Sequence, residues 1–147
     1  MAIKISTGLK ANLLSNKGVR ETFQGGKIEI YQAPRPSSAN SATSFSPLAY
    51  ITQDGEAWEY PDVNEAGLQF EVYAGGYAYM SGEWFIKGAK TGTATWFRIT
   101  GPDPDYGNVS LSLPRIDGDC GIDLILPTYS ITPSTDEAIE AFEIHFL

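Results

Sequence analysis

Oxygen ligands recur at short spacing in two turns of the chain. One holds Asp103 and Asp105 with Gly107 and Asn108; the other holds Asp117, Asp119 and Asp123 around Gly121. Calcium binds about six to eight oxygens presented from alternating positions of a tight turn. Asp and Gly are equally what any tight turn prefers, so Asp117, Asp119 and Asp123 are calcium candidates beside a plain-turn reading. His145 and Cys120 each occur once. One imidazole and one thiol cannot supply a tetrahedral zinc set, and a lone cysteine forms no internal disulfide. In a terminal alternating strand His145 shares the polar face with Glu143, which reads as a surface or interface histidine rather than a catalytic base. Neither a nucleophile elbow of the Gly-x-Ser-x-Gly type nor a phosphate-cradling glycine motif is present. Glycoside hydrolysis needs only two facing carboxylates, and among 18 acidic residues spacing alone selects no pair. The expectation is a non-enzymatic chain without cofactors.

The aromatic residues suggest contact rather than reaction. Trp58, Tyr60, Tyr73, Tyr77, Tyr79 and Trp84 fall within residues 58–84. Trp84, like Trp96, suits core packing, whereas Tyr73, Tyr77 and Tyr79 form a candidate partner interface, since tyrosine anchors protein interfaces.

The elements that must position these side chains are strands. Leu68, Phe70 and Val72 alternate with polar residues, as do Ile28 and Ile30 within a half-buried strand at residues 27–31. Further strands are expected at 48–52 and 84–87, and 91–99 reads as one continuous strand with Phe97 and Ile99 opposite Trp96 and Arg98. Leu111 and Leu113, then Leu124 to Leu126 and Tyr129 with Ile131, give shorter signals around turns at Gly118 and Gly121. The chain closes on Phe142, Ile144 and Phe146, although 137–142 also fits a helical period. Near the start, Ser6 and Thr7 can cap a short helix carrying Leu9, Leu13 and Leu14, with Gly18 as its stop. Without long helical connections the strands must be antiparallel. The expected fold is all-β, an antiparallel β-sandwich or jelly-roll-like barrel with a short N-terminal helix and arm. Residues 1–25 form the arm and helix, and 26–147 form one sandwich domain with an extended Pro/Ser-rich loop at 34–46.

At 147 residues the chain has the length of one domain. It carries ten basic and 18 acidic residues, a formal charge of -8 that repels nucleic acid. The charge is uneven: residues 1–49 hold six bases and two acids, and the remainder four bases and sixteen acids. Lys4, Leu9, Lys10, Leu13, Lys17, Arg20 and Arg35 are therefore candidate contacts of a basic N-terminal part that docks on an acidic partner. Both charge sets also fit solvated faces that neutralise each other. No apolar run is long enough to span a bilayer, and residues 1–10 lack the apolar centre of a secretory signal.

Several stretches resemble a family of small structural proteins of tailed-phage virions. These are Ile5-Ser6-Thr7-Gly8-Leu9 with Asn12 and Leu14, and Gly25-Gly26-Lys27-Ile28-Glu29-Ile30-Tyr31. Thr91-Gly92-Thr93-Ala94-Thr95-Trp96-Phe97-Arg98, Leu113-Pro114-Arg115-Ile116-Asp117-Gly118 and the terminal Phe142-Glu143-Ile144 complete the set. Residues 54–81 depart from the pattern, with more aromatic and acidic side chains. The resemblance implies a β-rich virion component made in the host cytoplasm. It would be a capsid decoration or cement protein bound to the major capsid protein, or else a tail, baseplate or adsorption component that touches tail proteins or host glycan. A homo-oligomer, trimer or dimer, is expected. On this reading the N-terminal arm is separable: its removal would cost partner binding and leave the domain folded.

Overall fold

The computed structural model describes residues 3–32, 34–73 and 76–145. Chain order is β1 (Lys4–Ile5), α1 (Thr7–Leu14), α2 (Val19–Phe23), β2 (Lys27–Tyr31), β3 (Ala49–Gln53), β4 (Gln69–Tyr73) and β5 (Tyr77–Ser81). It continues with β6 (Trp84–Gly88), β7 (Gly92–Thr93), β8 (Trp96–Thr100), β9 (Arg115–Asp119), β10 (Ser130–Ile131), β11 (Asp136–Ala138) and β12 (Glu143–His145). Seven strands form one antiparallel sheet in the order β1-β9-β8-β2-β3-β6-β11, three form a second in the order β12-β5-β4, and β10 pairs with β7. The protein is thus β-rich and antiparallel with two short helices.

The alternation of β-branched and aromatic residues fixes which side of the large sheet is dry. Ile28, Ile30, Ala49, Ile51, Trp84, Ile86, Phe97, Ile99 and Ile116 all face one core, in registers that set Ile28 between Ile99 and Ile51 and Ile51 against Ile86. The small sheet closes this core. Phe70 of β4 meets the Trp84 ring edge-on at 5.1 Å, and Phe142, just before β12, touches both Trp84 and Phe97. Such T-shaped pairs add roughly 0.5–1.5 kcal/mol to the burial of the rings.

Four expectations change. Residues 27–31 are buried on both faces, not one, because loops cover the polar side of the sheet. The stretch 91–99 is broken: β7 pairs with β10, and β8 lies in the centre of the large sheet. The break falls at Ala94 and Thr95, whose N–H groups donate to Tyr129 O and Tyr31 O respectively. Residues 117–119, read as part of a turn, belong to the inner strand β9, paired along its length with β8 and at Ile116 and Asp117 with β1; Gly118 is needed there because a Cβ would lie 2.6 Å from the Phe97 ring. Residues 136–138 are strand, not helix. Phe146 and the side chain of His145 lie outside the described residues.

The N-terminal segment is not a detachable arm. β1 pairs with β9, and the buried Ser6 hydroxyl accepts from the Leu9 and Arg115 N–H groups while donating to Leu113 O. Helix α1 thereby delivers Leu9 into the core at 0% exposure, so Leu9 cannot contact a partner. Truncating Leu9 to Ala leaves a cavity beneath the helix and lowers unfolding free energy by about 2–5 kcal/mol, readable as a shift of the urea midpoint. An unchanged midpoint would restore the separable arm.

Candidate functional site

The face of the large sheet turned away from the core is charged in an orderly way. Register places Lys4, Asp117, Arg98, Glu29, Tyr50, Lys87 and Asp136 opposite one another, strand by strand, from one edge to the other. Cross-strand neighbours of opposite sign attract, and the row alternates in sign wherever it is charged. Arg98 Nε and Nη2 donate to the two Asp117 oxygens at 2.7 and 2.9 Å, with both side chains at 0% exposure. Burial works against the Arg98 charge, but the hydrogen bonds and charge of Asp117 more than offset it, and the guanidinium holds its proton more tightly than usual. Lys87 and Asp136 pair at 3.3 Å near the other edge.

Arg115, two residues along β9 from Asp117, organises the loops. Its Nε and Nη2 donate to Asp105 at 2.7 and 2.8 Å, its Nη1 to the carbonyls of Ala39, Asn40 and Ser41, and its Nη2 also to Asn108 O. One guanidinium therefore fastens the 34–46 loop and the 102–113 connection to the sheet, and Thr43 N–H to Gly107 O ties the two to each other. Burial acts against the Asp105 carboxylate, yet Arg115 and the Gly107 N–H hold its pKa below the usual range.

A third segment, 54–61, folds over the opposite side. Thr52 Oγ1 donates to Glu56 O, and the Trp58 indole N–H donates to Gly25 O at 2.9 Å, which fixes the ring. The ammonium of Lys27 sits 4.1 Å from the centre of that ring, a cation–π contact. Between the three segments lies a cleft of about 1050 Å³. Its floor is polar, with Lys27, Glu29, Tyr50 and Thr52, and its walls are aromatic, with Phe45, Trp58, Tyr60 and Tyr106. Glu29 is 8% exposed; desolvation pushes its pKa up and the nearby Lys27 only partly counters this. Burial also raises the Tyr31 and Tyr50 hydroxyls.

The other expected site residues are scattered. Tyr73, Tyr77 and Tyr79 do converge on the outer face of the small sheet, with Tyr73 centred 5.1 Å from Tyr77 and 4.9 Å from Tyr79, and Tyr79 stands between Glu71 and Glu143 in register. Lys10, Leu13, Lys17 and Arg20 are exposed on or beside the two helices. Lys4 donates to Ser37 O. Arg35 is folded inward at 8% side-chain exposure, 3.5 Å from Asp119, and so is no partner contact. The calcium reading fails for a clear reason: Arg98 occupies both oxygens of Asp117, Asp119 faces Arg35, and Asp123 accepts from the Asp119 N–H. No metal-binding group of carboxylates, His or Cys forms among the described residues. Burial, with Asp119 and Asp123 nearby, pushes the Cys120 thiol up to about 12, which leaves it a poor nucleophile at neutral pH.

No family model, curated protein or solved structure matches the chain.

Glu29 generates a pH test. Its folded-state pKa lies above the ordinary 4.5, so the folded chain binds the proton more tightly than the unfolded one. Stability is therefore lost as pH rises through the folded value, and the loss is absent below the unfolded value. Glu29→Gln should melt higher than wild type at pH 7, with the gap closing as pH falls toward about 4. A gap of constant size across that range would show that ionisation of Glu29 is not its cause.

Proposed function

We propose that the chain is a structural protein of a tailed-phage virion that works through contact surfaces, most simply as a decoration protein on the head. The observation that carries this is a set of large apolar side chains held outward on segments fixed to the sheet. Leu14 is 88% exposed, Val109 72% and Leu111 68%, with Ile122 and Ile125 also outward. Apolar groups displayed on anchored backbone suit docking on another protein. The segments are fixed because Ser6, which caps the helix bearing Leu14, also binds Leu113 and Arg115.

The family-like stretches support the same reading in a physical sense. Thr91–Arg98 and Leu113–Gly118 supply β7, the start of β8 and most of β9, and with them Arg98, Arg115 and Asp117, so the motifs serve packing rather than reaction. A jelly-roll-like sandwich, uneven because seven strands back onto three, belongs to this proposal. So do a homo-oligomer, the major capsid protein as partner and the virion as location. A tail or adsorption component is the second reading, favoured by the Tyr73/Tyr77/Tyr79 cluster on the outward face of the small sheet. No helix among the described residues is long and apolar enough to cross a membrane.

Quantitative mass spectrometry of purified virions separates these readings. Copies on the scale of the major capsid protein support decoration, a handful per particle supports the tail, and absence from virions overturns both. On stripped heads, a Leu14→Asp/Leu111→Asp double variant should lose saturating binding while melting like wild type, since both side chains are already in water. Undiminished binding would remove these residues from the contact.

A further inference from the structure

We infer that the cleft above β2 and β3 is a binding site for a short neutral oligosaccharide. Its volume, about 1050 Å³, lies at the upper end of small-molecule sites and suits several linked rings better than one. The chemistry of its surface is divided as a sugar is divided. A pyranose has an apolar C–H face and a rim of hydroxyls; the cleft has aromatic walls and a floor of donors and acceptors. Trp58 is locked in orientation by Gly25 O, Tyr60 is 55% exposed and Phe45 62% exposed. These rings offer flat apolar surface, and Trp58 does so without needing to be ordered on binding. Below them Glu29 offers carboxylate acceptors, Lys27 a donor and Tyr50 a hydroxyl that does either, while the Thr52 hydroxyl, its proton given to Glu56 O, accepts.

Charge narrows the class. The lining carries Lys27 and Lys87 against Glu29, Glu56 and Asp105, but Asp105 is held by Arg115 and Lys87 lies 3.3 Å from Asp136. What remains is close to balanced and leans acidic, so phosphate, sulfate and nucleic acid find no attracting field. A peptide strand is disfavoured by the backbone. β2 and β3 are inner strands whose N–H and C=O groups are spent on β8, β6 and each other, which leaves no edge to extend. Burying the Glu29 carboxyl is a cost to the fold, of the kind a site retains for binding. The inference is independent of head or tail placement.

The full chain is probed on an array of short neutral hexose and N-acetylhexosamine oligosaccharides beside sialylated and sulfated counterparts, and the best member is titrated calorimetrically. Neutral members should bind. Tyr60→Ala, a change at an exposed ring, and Glu29→Gln should each weaken binding about tenfold or more with the fold intact by circular dichroism, and Trp58 fluorescence should respond to ligand. Failure of every neutral member, binding confined to anionic ones, or full affinity in both variants overturns the assignment. Loss on Tyr77→Ala with Tyr60→Ala unaffected also overturns it, by moving the site to the small sheet. A chain absent from virions that still binds sugar keeps this inference and loses the earlier one.

Discussion

Burying a guanidinium costs several kcal/mol unless its charge is matched and its donors are all met. Arg115 meets that condition with six hydrogen bonds, two to Asp105 and four to carbonyls of two separate connections. Its partners lie in the 34–46 and 102–113 segments, so burial of this one residue ties the paths of both to the sheet. Arg98 and Asp117 play the parallel part inside the sheet, where each closes the other's charge across β8 and β9. Arg98 Nη1 alone of that pair has no hydrogen-bond partner among the described residues. A side chain that terminates loops on a sheet face in this way converts a flat polar surface into a walled one.

The cleft follows from that constraint. The third wall is built differently, from a turn at Asp54 and Gly55, both with positive φ, and from the Trp58 indole reaching Gly25 O. Glu29 and Lys27 lie at the bottom because β2 alternates: Ile28 and Ile30 go to the core, and their neighbours must go to the covered side. That side is dry enough to raise the Glu29 pKa, and open enough to leave Phe45, Tyr60 and Tyr106 in solvent. Stability and ligand chemistry thus pull against each other at one residue.

Much of the strand pattern was legible in the residues. Strands do form at 27–31 and 69–73, and Phe97 and Ile99 divide from Trp96 and Arg98, although β2 is buried on both faces and Val72 is exposed. What was not legible has a common physical origin in long-range partners. Part of β9 looked like a turn because Asp117, Gly118 and Asp119 favour one locally; pairing with Phe97 and Arg98 of β8 makes it an inner strand. The aspartates read as calcium ligands because a turn-like spacing of carboxylates says nothing about arginines distant in sequence. Leu9 reads as a partner contact because its short helix has no stability of its own and must pack on something; what it packs on is the chain's own core. The cleft left little local signal, since Glu29, Tyr50, Trp58 and Tyr106 come from four separate segments. The alternation of Lys27, Glu29 and Tyr31 was its one trace.

Hydrogen exchange on an Arg115→Met/Asp105→Leu double variant bears most directly on this account, because it removes both buried charges together and leaves neither charge unpaired. Amide protection should fall across 36–46 and 103–112 while the amides of Ile28, Ile51 and Phe97 stay as protected as in wild type. Both connections retaining their full protection would contradict the claim that this ion pair sets their paths.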